Sequence, residues 1–399
     1  MTARVRLVHV ADLHLGYRQY QRLTPGGLNQ READVAKTFE WVVKKIIALG
    51  PDVILLAGDI FHAVRPSNQA ILHAFGQLAR LTADLPHARI IMIAGNHDTP
   101  RTAETGGILR LFSRLGVEVV DREARSIVIP ELELSVLAIP GAPHAMPELK
   151  PEPGFTHNVL LMHGEIRGML PAVYASIDPA AVLVSASDLN AARWSYIALG
   201  HYHVYRQVLE NAYYAGSIDY TSLNMWGERN EERVSGLKGK SFIERDLSTD
   251  KHVVHPIPPS RVLVDLQSIT ARDLIPADID AQIRQAVEGT TGGIDGKIVR
   301  LRVNDLTAAA ARELDHKAIR DYKRRALSFH LDGRRPETVR TVGSGGAGRR
   351  PSLLEVVRED LERRPIDADI DRAALVELGL RYLRDAESVS EPSLIGAEE

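Results

Sequence analysis

The run from Val5 to His14 reads VRLVHVADLH, an apolar segment typical of a buried strand that ends in Asp12-Leu13-His14. Four later segments repeat this design, each leading from an apolar run directly into Asp, Asn or His. Because the carboxyl ends of strands in an open α/β sheet meet at one edge, the pattern predicts an α/β fold with its chemistry at that edge. The later segments are Val53 to Ala57 before Gly58-Asp59, Ile90 to Ala94 before Gly95-Asn96-His97-Asp98, Val159 to Met162 before His163-Gly164, and Tyr196 to Leu199 before Gly200-His201-Tyr202-His203.

Seven of these side chains are of types that bind divalent metals. They are too many for one tetrahedral ion and suit two ions, roughly 3.5–4 Å apart, that stabilise both oxygens of an in-line displacement at phosphorus. Oxygen and imidazole ligands without thiolate favour manganese, with iron or zinc as alternatives. The seven candidate ligands are Asp12, His14, Asp59, Asn96, His163, His201 and His203.

His97 adjoins a candidate ligand without being needed as one. An imidazole beside a phosphoester can protonate the leaving oxygen or hold a non-bridging one. The neighbouring carboxylate of Asp98 is expected to orient that ring.

These motifs, in this order, resemble those of the calcineurin-like metallophosphoesterase superfamily. Three longer segments resemble those of SbcD-type DNA repair exonucleases: ADLHLG at residues 11–16, AGDIFH at 57–62 and AGSIDYTS at 215–222. The resemblance extends over about residues 5 to 245. These enzymes are the bacterial branch of the meiotic recombination nuclease family. The run GDIFHAV at residues 58–64 departs from the G-D-x-V-D-R-G pattern of phosphoprotein phosphatases, which argues against that class.

The resemblance implies a four-layer α/β/β/α metallophosphoesterase sandwich with a small α+β capping domain and a C-terminal helical pair. It implies one ion held by Asp12, His14, Asp59 and His203, and another held by Asp59, Asn96, His163 and His201, so that Asp59 bridges. His97 corresponds to the family's catalytic histidine, and His62 lies where related nucleases have a second one. The implied activities are 3′ to 5′ exonuclease on DNA ends and endonuclease on hairpins or single strands.

Composition shifts divide the chain into segments. We expect a nuclease domain over residues 1–258, a capping and DNA-binding domain over 260–336, a Gly-rich basic linker over 337–350, a helix-loop-helix over 351–386 and a tail over 387–399. Within the capping domain, helices are predicted over about Ala277 to Glu288 and Thr307 to Ala326.

Two apolar surfaces suggest partners. The resemblance implies that the C-terminal helical pair docks on the coiled coil of an SbcC-like ATPase of the SMC family; the alternative is that the pair packs back on its own domain. It also implies a homodimer through two helices near residues 69–85 and 108–115, although ordinary core packing explains most of their apolar residues. Candidates for the ATPase contact are Leu354, Val357, Leu361, Leu375, Leu378 and Tyr382, and candidates for the dimer contact are Leu72, Phe75, Leu109 and Phe112.

Composition narrows the class of protein. The 399 residues include no cysteine, which excludes disulfides and thiolate metal sites. No apolar stretch approaches the ~20 residues of a membrane span, and no signal-peptide pattern opens the chain, so we expect a cytoplasmic protein. The net charge is only −3, but ten Lys or Arg against three acids from Lys317 to Arg350 favour contact with DNA phosphate.

Three functions fit these observations. We favour a metal-dependent DNA nuclease that is the nuclease subunit of a double-strand-break repair complex. A stand-alone metallophosphodiesterase for small substrates such as cyclic nucleotides needs neither the basic segment nor the helical pair. A non-enzymatic scaffold for an ATPase would not need intact ligands. The sequence has no G-x-x-x-x-G-K-[ST] motif, so any ATP hydrolysis would belong to a partner.

Overall fold

The computed structural model describes residues 4–100, 107–170, 182–336, 353–363 and 371–389. Two six-stranded sheets form the main α/β unit. The first sheet has the order His252–Pro256, Ser241–Asp246, Arg6–Val10, Val53–Ala57, Arg89–Ile93 and Glu118–Val120. The second has the order Arg206–Leu209, Ala212–Tyr214, Tyr196–Gly200, His157–His163, Leu134–Ile139 and Arg125–Ile129.

The strands that precede the polar motifs run parallel within their own sheets. In the first sheet these are Arg6–Val10, Val53–Ala57 and Arg89–Ile93, and in the second they are His157–His163 and Tyr196–Gly200. Their carboxyl ends therefore lie at one edge of each sheet. Ser241–Asp246 and His252–Pro256 form an antiparallel hairpin, and Ser241–Asp246 also pairs antiparallel to Arg6–Val10.

Alternation of side chains along the strands builds the layers. Within Arg6–Val10, Val8 and Val10 pack against helices on the outer face, whereas Leu7 packs between the two sheets. Helices Gln30–Leu49 and Asn68–Asp84 cover the first sheet. The second sheet is covered by a core that includes Trp194 and the short helix Ala186–Leu189. The predicted metallophosphoesterase sandwich is confirmed.

A smaller parallel sheet follows after residue 260. It consists of Leu263–Asp265, Ile269–Thr270, Ile298–Asn304 and Ser328–Gly333, and it packs with its helices around a separate apolar core. Its helices are Pro276–Glu288, Ala308–Glu313 and His316–Arg325.

The prediction of a single helix over Thr307 to Ala326 was wrong, because two helices form there with a break at Leu314 and Asp315. Leu314 is extended, and the Asp315 carboxylate accepts the backbone amides of Lys317 and Ala318 at 3.0 and 2.9 Å. Aspartate competes with the helical backbone for hydrogen bonds, so it favours a new helix start over a mid-helix position.

Buried ion pairs attach the smaller sheet to the main unit. Arg261, which precedes its first strand, donates two hydrogen bonds to Asp34, at 2.6 and 2.9 Å. Asp34 also accepts from Arg31, whose guanidinium is fully buried and donates to Asp219 at 2.9 Å. A planar guanidinium that binds a carboxylate through two nitrogens is a directional link between the two parts.

The C-terminal helices are Leu353–Arg363 and Arg372–Val389. They approach closely at Gly379, where an added Cβ would lie 2.7 Å from Leu361 Cδ1. Leu378 and Tyr382 remain 39% and 66% exposed, one helical turn apart. The predicted linker over 337–350 lies outside the described residues, as does most of the predicted tail. The domain boundaries as a whole stay a prediction.

The apolar residues proposed for a dimer contact differ in burial. Leu72 is 66% exposed, and Phe75 is half-buried. Leu109 and Phe112 lie on a 3-10 helix, Ile108–Leu115, and are 1% and 0% exposed within the core of the first sheet. These two side chains therefore belong to the core and cannot form a surface, which corrects that part of the expectation.

None of the described helices combines the length and apolar character that a bilayer span requires.

Candidate metal centre

Four of the seven candidate ligands have left-handed backbone conformations at the strand ends. The φ angles are 51° for Asp12, 45° for His14, 49° for Asp59 and 103° for His201. Such angles are uncommon for residues with a Cβ and are typical of functional sites, where neighbouring structure holds them. Sharp turns at the ends of the strands therefore aim these side chains toward one place.

Backbone contacts hold the turns together. The amide of Asp12 donates to the Gly58 carbonyl at 3.1 Å, and that of His14 donates to the Asp59 carbonyl at 2.9 Å. Across the two sheets, an added Cβ at Gly200 would overlap the Ala57 carbonyl oxygen. Only glycine permits this approach, which brings the edges of both sheets together.

One group of ligand-type atoms comes from Asp12, His14 and His203, whose ligand atoms lie within 4.8 Å of one another. The Nε2 atoms of His14 and His203 face each other at 3.1 Å. All three side chains are buried. The group matches three of the four ligands expected for one ion.

A second group comes from Asp59, Asn96 and His163. His163 Nε2 lies 2.9 Å from Asn96 Oδ1 and 3.5 Å from Asp59 Oδ2. The other ring nitrogen, Nδ1, donates to the Ala57 carbonyl at 2.9 Å, so the lone pair resides on Nε2. This tautomer is the one that a metal at the second position requires.

Asp59 lies between the two groups. Its Oδ1 accepts the His97 amide at 2.9 Å, whereas its Oδ2 is buried and accepts no hydrogen bond from the described residues. Oδ2 lies 3.7 Å from His14 Nε2 and 3.5 Å from His163 Nε2. A buried carboxylate oxygen without a donor, between two imidazole nitrogens, fits a bridging ligand of two cations.

Burial shifts the ionisation of the centre. Burial, reinforced by the charge of Asp59, raises the pKa of Asp12 well above its usual range. Burial also lowers the pKa of His14, and it lowers that of His163 to about 4. His14 and His163 are therefore held neutral, the form that binds metals, and divalent cations would offset the charge of the two buried carboxylates.

His97 and His62 lie at the partly exposed side of the centre. Their rings stack at 5.2 Å, and His97 Nδ1 lies 2.9 Å from the His62 carbonyl, to which it can donate. Asp98, which we expected to orient the His97 ring, instead accepts the backbone amides of Ile60, Phe61 and Gly95 at 2.9–3.0 Å. The His97 ring is therefore held by the His62 carbonyl. Asp98 links the segments that follow the strands Val53–Ala57 and Arg89–Ile93.

Three residues near the ligands were not identified from the sequence. Glu165 Oε1 lies 3.2 Å from His201 Nε2, and Glu228 Oε1 lies 3.3 Å from His203 Nδ1. Lys240 donates to Glu228 at 2.6 Å. Burial alone would raise the pKa of Glu228, but Lys240 and His203 outweigh it and lower that pKa to about 2. Glu165 directly follows the His163-Gly164 motif, and this position could have marked it as a site residue. No nearby motif marks Glu228 or Lys240.

The fold and this arrangement agree with the family comparison. The family model described as calcineurin-like phosphoesterase matches residues 5–214, more than half of the chain, so the chain belongs to that family.

Several archaeal relatives are each named DNA double-strand break repair protein Mre11. The one from Methanocaldococcus jannaschii is 28% identical over 250 residues, which cover 60% of this chain and 62% of the relative. The one from Sulfolobus acidocaldarius is 28% identical over 297 residues, covering 71% and 69%, and the one from Methanopyrus kandleri is 24% identical over 417 residues, covering 98% and 84%. This chain thus spans about three fifths of the length of the first relative.

Among solved structures, the crystal structure of Pseudomonas putida nuclease MPE is 17% identical and covers 45% of this chain and 72% of its own, with a TM-score of 0.21.

Proposed function

We propose that this chain is a two-metal DNA nuclease, with 3′ to 5′ exonuclease activity and endonuclease activity on hairpins or single strands. The observation that carries the proposal is that two ligand groups meet at Asp59 Oδ2, which accepts no hydrogen bond from the described residues. The partly exposed His97 lies beside this carboxylate. A phosphodiester must reach both features at once, and the open side of the centre is where His97 lies.

In this proposal, Asp12, His14, Asp59 and His203 hold one ion, and Asp59, Asn96, His163 and His201 hold the other. Two bound cations would stabilise the charge that develops on phosphate oxygens during an in-line displacement. The ligand set favours Mn²⁺, with iron or zinc as alternatives. The chain itself supplies His14 and His163 as neutral imidazoles, together with strained turns that hold the ligands in place before any ion binds.

His97 is the proposed proton donor to the leaving oxygen. Donation of Nδ1–H to the His62 carbonyl fixes the orientation of the ring, and in this proposal Nε2 faces the substrate. Protonated at Nε2, the ring can transfer a proton to the departing alkoxide. His62, stacked on His97 and 3.3 Å from His14 Nδ1, is proposed to keep the ring in this orientation.

DNA is the proposed substrate because the relatives named above are DNA double-strand break repair proteins. The smaller domain adds cationic groups, since the helix His316–Arg325 ends with Lys323, Arg324 and Arg325. Exposed Lys and Arg side chains favour binding to the phosphate backbone irrespective of base sequence. We also propose a cytoplasmic location, in keeping with the DNA repair function named for the relatives.

Cleavage assays test the proposal directly. An end-labelled duplex and a DNA hairpin are incubated with the purified chain and Mn²⁺, or with EDTA. We expect Mn²⁺-dependent cutting that falls at least about 100-fold in His97→Ala, in line with the loss of an acid catalyst. His87→Ala, at an exposed histidine outside the centre, is the matched control and should cut like the wild type.

Hydrolysis of bis-p-nitrophenyl phosphate without any cutting of DNA would contradict the DNA assignment and favour small phosphodiesters. Loss of activity in His87→Ala would show that the effect of substitution is not specific to the centre.

We also propose that the C-terminal helices bind an SbcC-like ATPase of the SMC family and that the chain forms a homodimer through the face that carries Leu72 and Phe75. The exposed pair Leu378 and Tyr382 supports the first contact. Deleting residues 343–399 should abolish binding to the coiled-coil base of such an ATPase in pull-down while retaining hydrolysis of bis-p-nitrophenyl phosphate. Leu378→Ser with Tyr382→Ser is the milder variant, and unchanged binding in both would contradict this partner.

A further inference from the structure

Each histidine of the segment Gly200–His203 has a buried carboxylate behind its ring. Glu165 Oε1 lies 3.2 Å from His201 Nε2, and Glu228 Oε1 lies 3.3 Å from His203 Nδ1. The two carboxylates come from different elements, the strand Glu165–Ile166 and the helix Met225–Val234. Both are less than a tenth exposed, so their contacts are not surface ion pairs.

An acceptor on one ring nitrogen fixes the proton there and leaves the other nitrogen to bind a metal. For His203, Nδ1 faces the Glu228 carboxylate at 3.3 Å, which favours the proton on Nδ1, and Nε2 faces His14 Nε2 at 3.1 Å inside the first ligand group. For His201, Nε2 donates to Glu165 Oε1, which assigns Nδ1 to the metal. The two histidines, two positions apart in the sequence, are thus assigned opposite ring nitrogens.

Glu228 is itself held from several sides. Lys240 donates to it at 2.6 Å, and the Ser222 hydroxyl donates to its other oxygen, Oε1. Lys240 also donates to the backbone carbonyl of His203 at 2.8 Å, so Glu228 and Lys240 contact the ring and the backbone of the same residue. Glu232, one turn further along the helix, lies 3.2 Å from Lys240.

A network of this kind is unfavourable as packing alone. Removing a charge from water costs several kcal/mol per ion even after relaxation, and apolar side chains of similar volume often stabilise a core as well or better. Its closeness to one metal ligand points to a role in holding that ligand.

We propose that Glu228, fixed by Lys240, is a positioning residue that sets the tautomer and orientation of His203, and that Glu165 does the same for His201. The inference rests on the metal centre of the proposed function. It adds that the affinity of the centre for divalent ions depends on these two carboxylates, neither of which binds an ion itself.

Glu228→Gln retains the shape of the side chain but removes its charge, and its amide can face the ring with NH₂, which permits the other tautomer. Glu232→Gln is the matched control because Glu232 lies on the same helix and also pairs with Lys240, but it accepts from the Tyr220 hydroxyl where Glu228 faces His203. Glu165→Gln tests the second histidine. Each metal-free variant is first checked for folding by circular dichroism and thermal unfolding.

Mn²⁺ binding to each metal-free protein is then measured by isothermal titration calorimetry, and the visible absorption of the Co²⁺ complex reports ligand geometry. We expect Glu228→Gln and Glu165→Gln each to weaken one of two sites by about 10- to 100-fold and to alter the Co²⁺ spectrum. Glu232→Gln should retain wild-type affinity, whatever its melting temperature.

Unchanged affinity in Glu228→Gln, or equal loss in Glu232→Gln, would overturn the inference and leave a structural network, even if the wild type cuts DNA. Conversely, a wild type that binds two Mn²⁺ ions but cuts no DNA would refute the proposed function, and the affinities of the variants would still decide the positioning role. A wild type that binds no divalent ion would overturn both.

Discussion

At the scale of single residues, Asp59 is the side chain on which both ligand groups depend. Asp59→Asn keeps the Oδ1 contact with the His97 amide but replaces a bridging anion by a neutral amide. We expect loss of at least one Mn²⁺ site and a fall in phosphodiester hydrolysis of at least about 100-fold, since several kcal/mol of transition-state stabilisation is removed. Calorimetry and bis-p-nitrophenyl phosphate hydrolysis measure the two effects.

Asp84→Asn is the control for this substitution, because Asp84 is an exposed aspartate at the end of a helix. Full Mn²⁺ binding by Asp59→Asn would show that Oδ2 is not the shared ligand.

The residue scale also shows what sequence can and cannot predict. Asp12, His14, Asp59 and the other candidate ligands were identified because each follows a strand within a short motif. Glu228 lies 25 positions beyond His203 and resembles any other surface-helix glutamate until the fold brings it under the ring. Contacts that depend on long-range packing leave no local pattern, whereas strand ends do.

At the scale of elements, Asp315 decides where one helix ends and the next begins. Asp315→Ala removes the acceptor for two orphan amides at the start of His316–Arg325. We expect the free energy of unfolding to fall by about 1 kcal/mol, typical of a lost N-cap, measured by urea denaturation. Asp321→Ala, within the same helix, removes only an exposed ion pair with Arg324. This substitution should lower the free energy of unfolding by less than about half of that amount.

The elements differ in how well their sequence predicts them. Apolar runs located the parallel strands that precede the polar motifs. The 3-10 helix Ile108–Leu115 buries Leu109 and Phe112 instead of exposing them, because the tertiary position of the first sheet decides which face is covered. An apolar stripe indicates that a helix face will be buried, but it does not indicate whether that face packs in the chain's own core or against a partner.

At the scale of the whole molecule, the core between the two sheets contains His9. It is fully buried, lies 3.0 Å from the Tyr196 hydroxyl, and burial lowers its pKa to about 3. Between about pH 6.5 and 3, His9 therefore binds a proton in the unfolded chain, where its pKa is near 6.5, but not in the folded chain. The stability that this histidine contributes is present above pH 6.5 and is lost as the pH falls.

We expect the unfolding free energy of the metal-free protein to fall by up to about 1.4 kcal/mol per pH unit from this residue alone below pH 6. His9→Gln, which keeps a polar partner for Tyr196, should reduce the slope of stability against pH in urea denaturation. His87→Gln, at an exposed site, should leave the slope of the wild type. Equal slopes in all three proteins would refute a buried neutral His9.

The left-handed turns at Asp12, His14, Asp59 and His201 have a consequence for the lifetime of the protein. They concentrate strained backbone and two buried carboxylates at one place. In the proposed two-metal protein, loss of the ions would lower the stability of the chain as well as its activity, because ions that bind only the folded state stabilise it, and a less stable chain is degraded sooner.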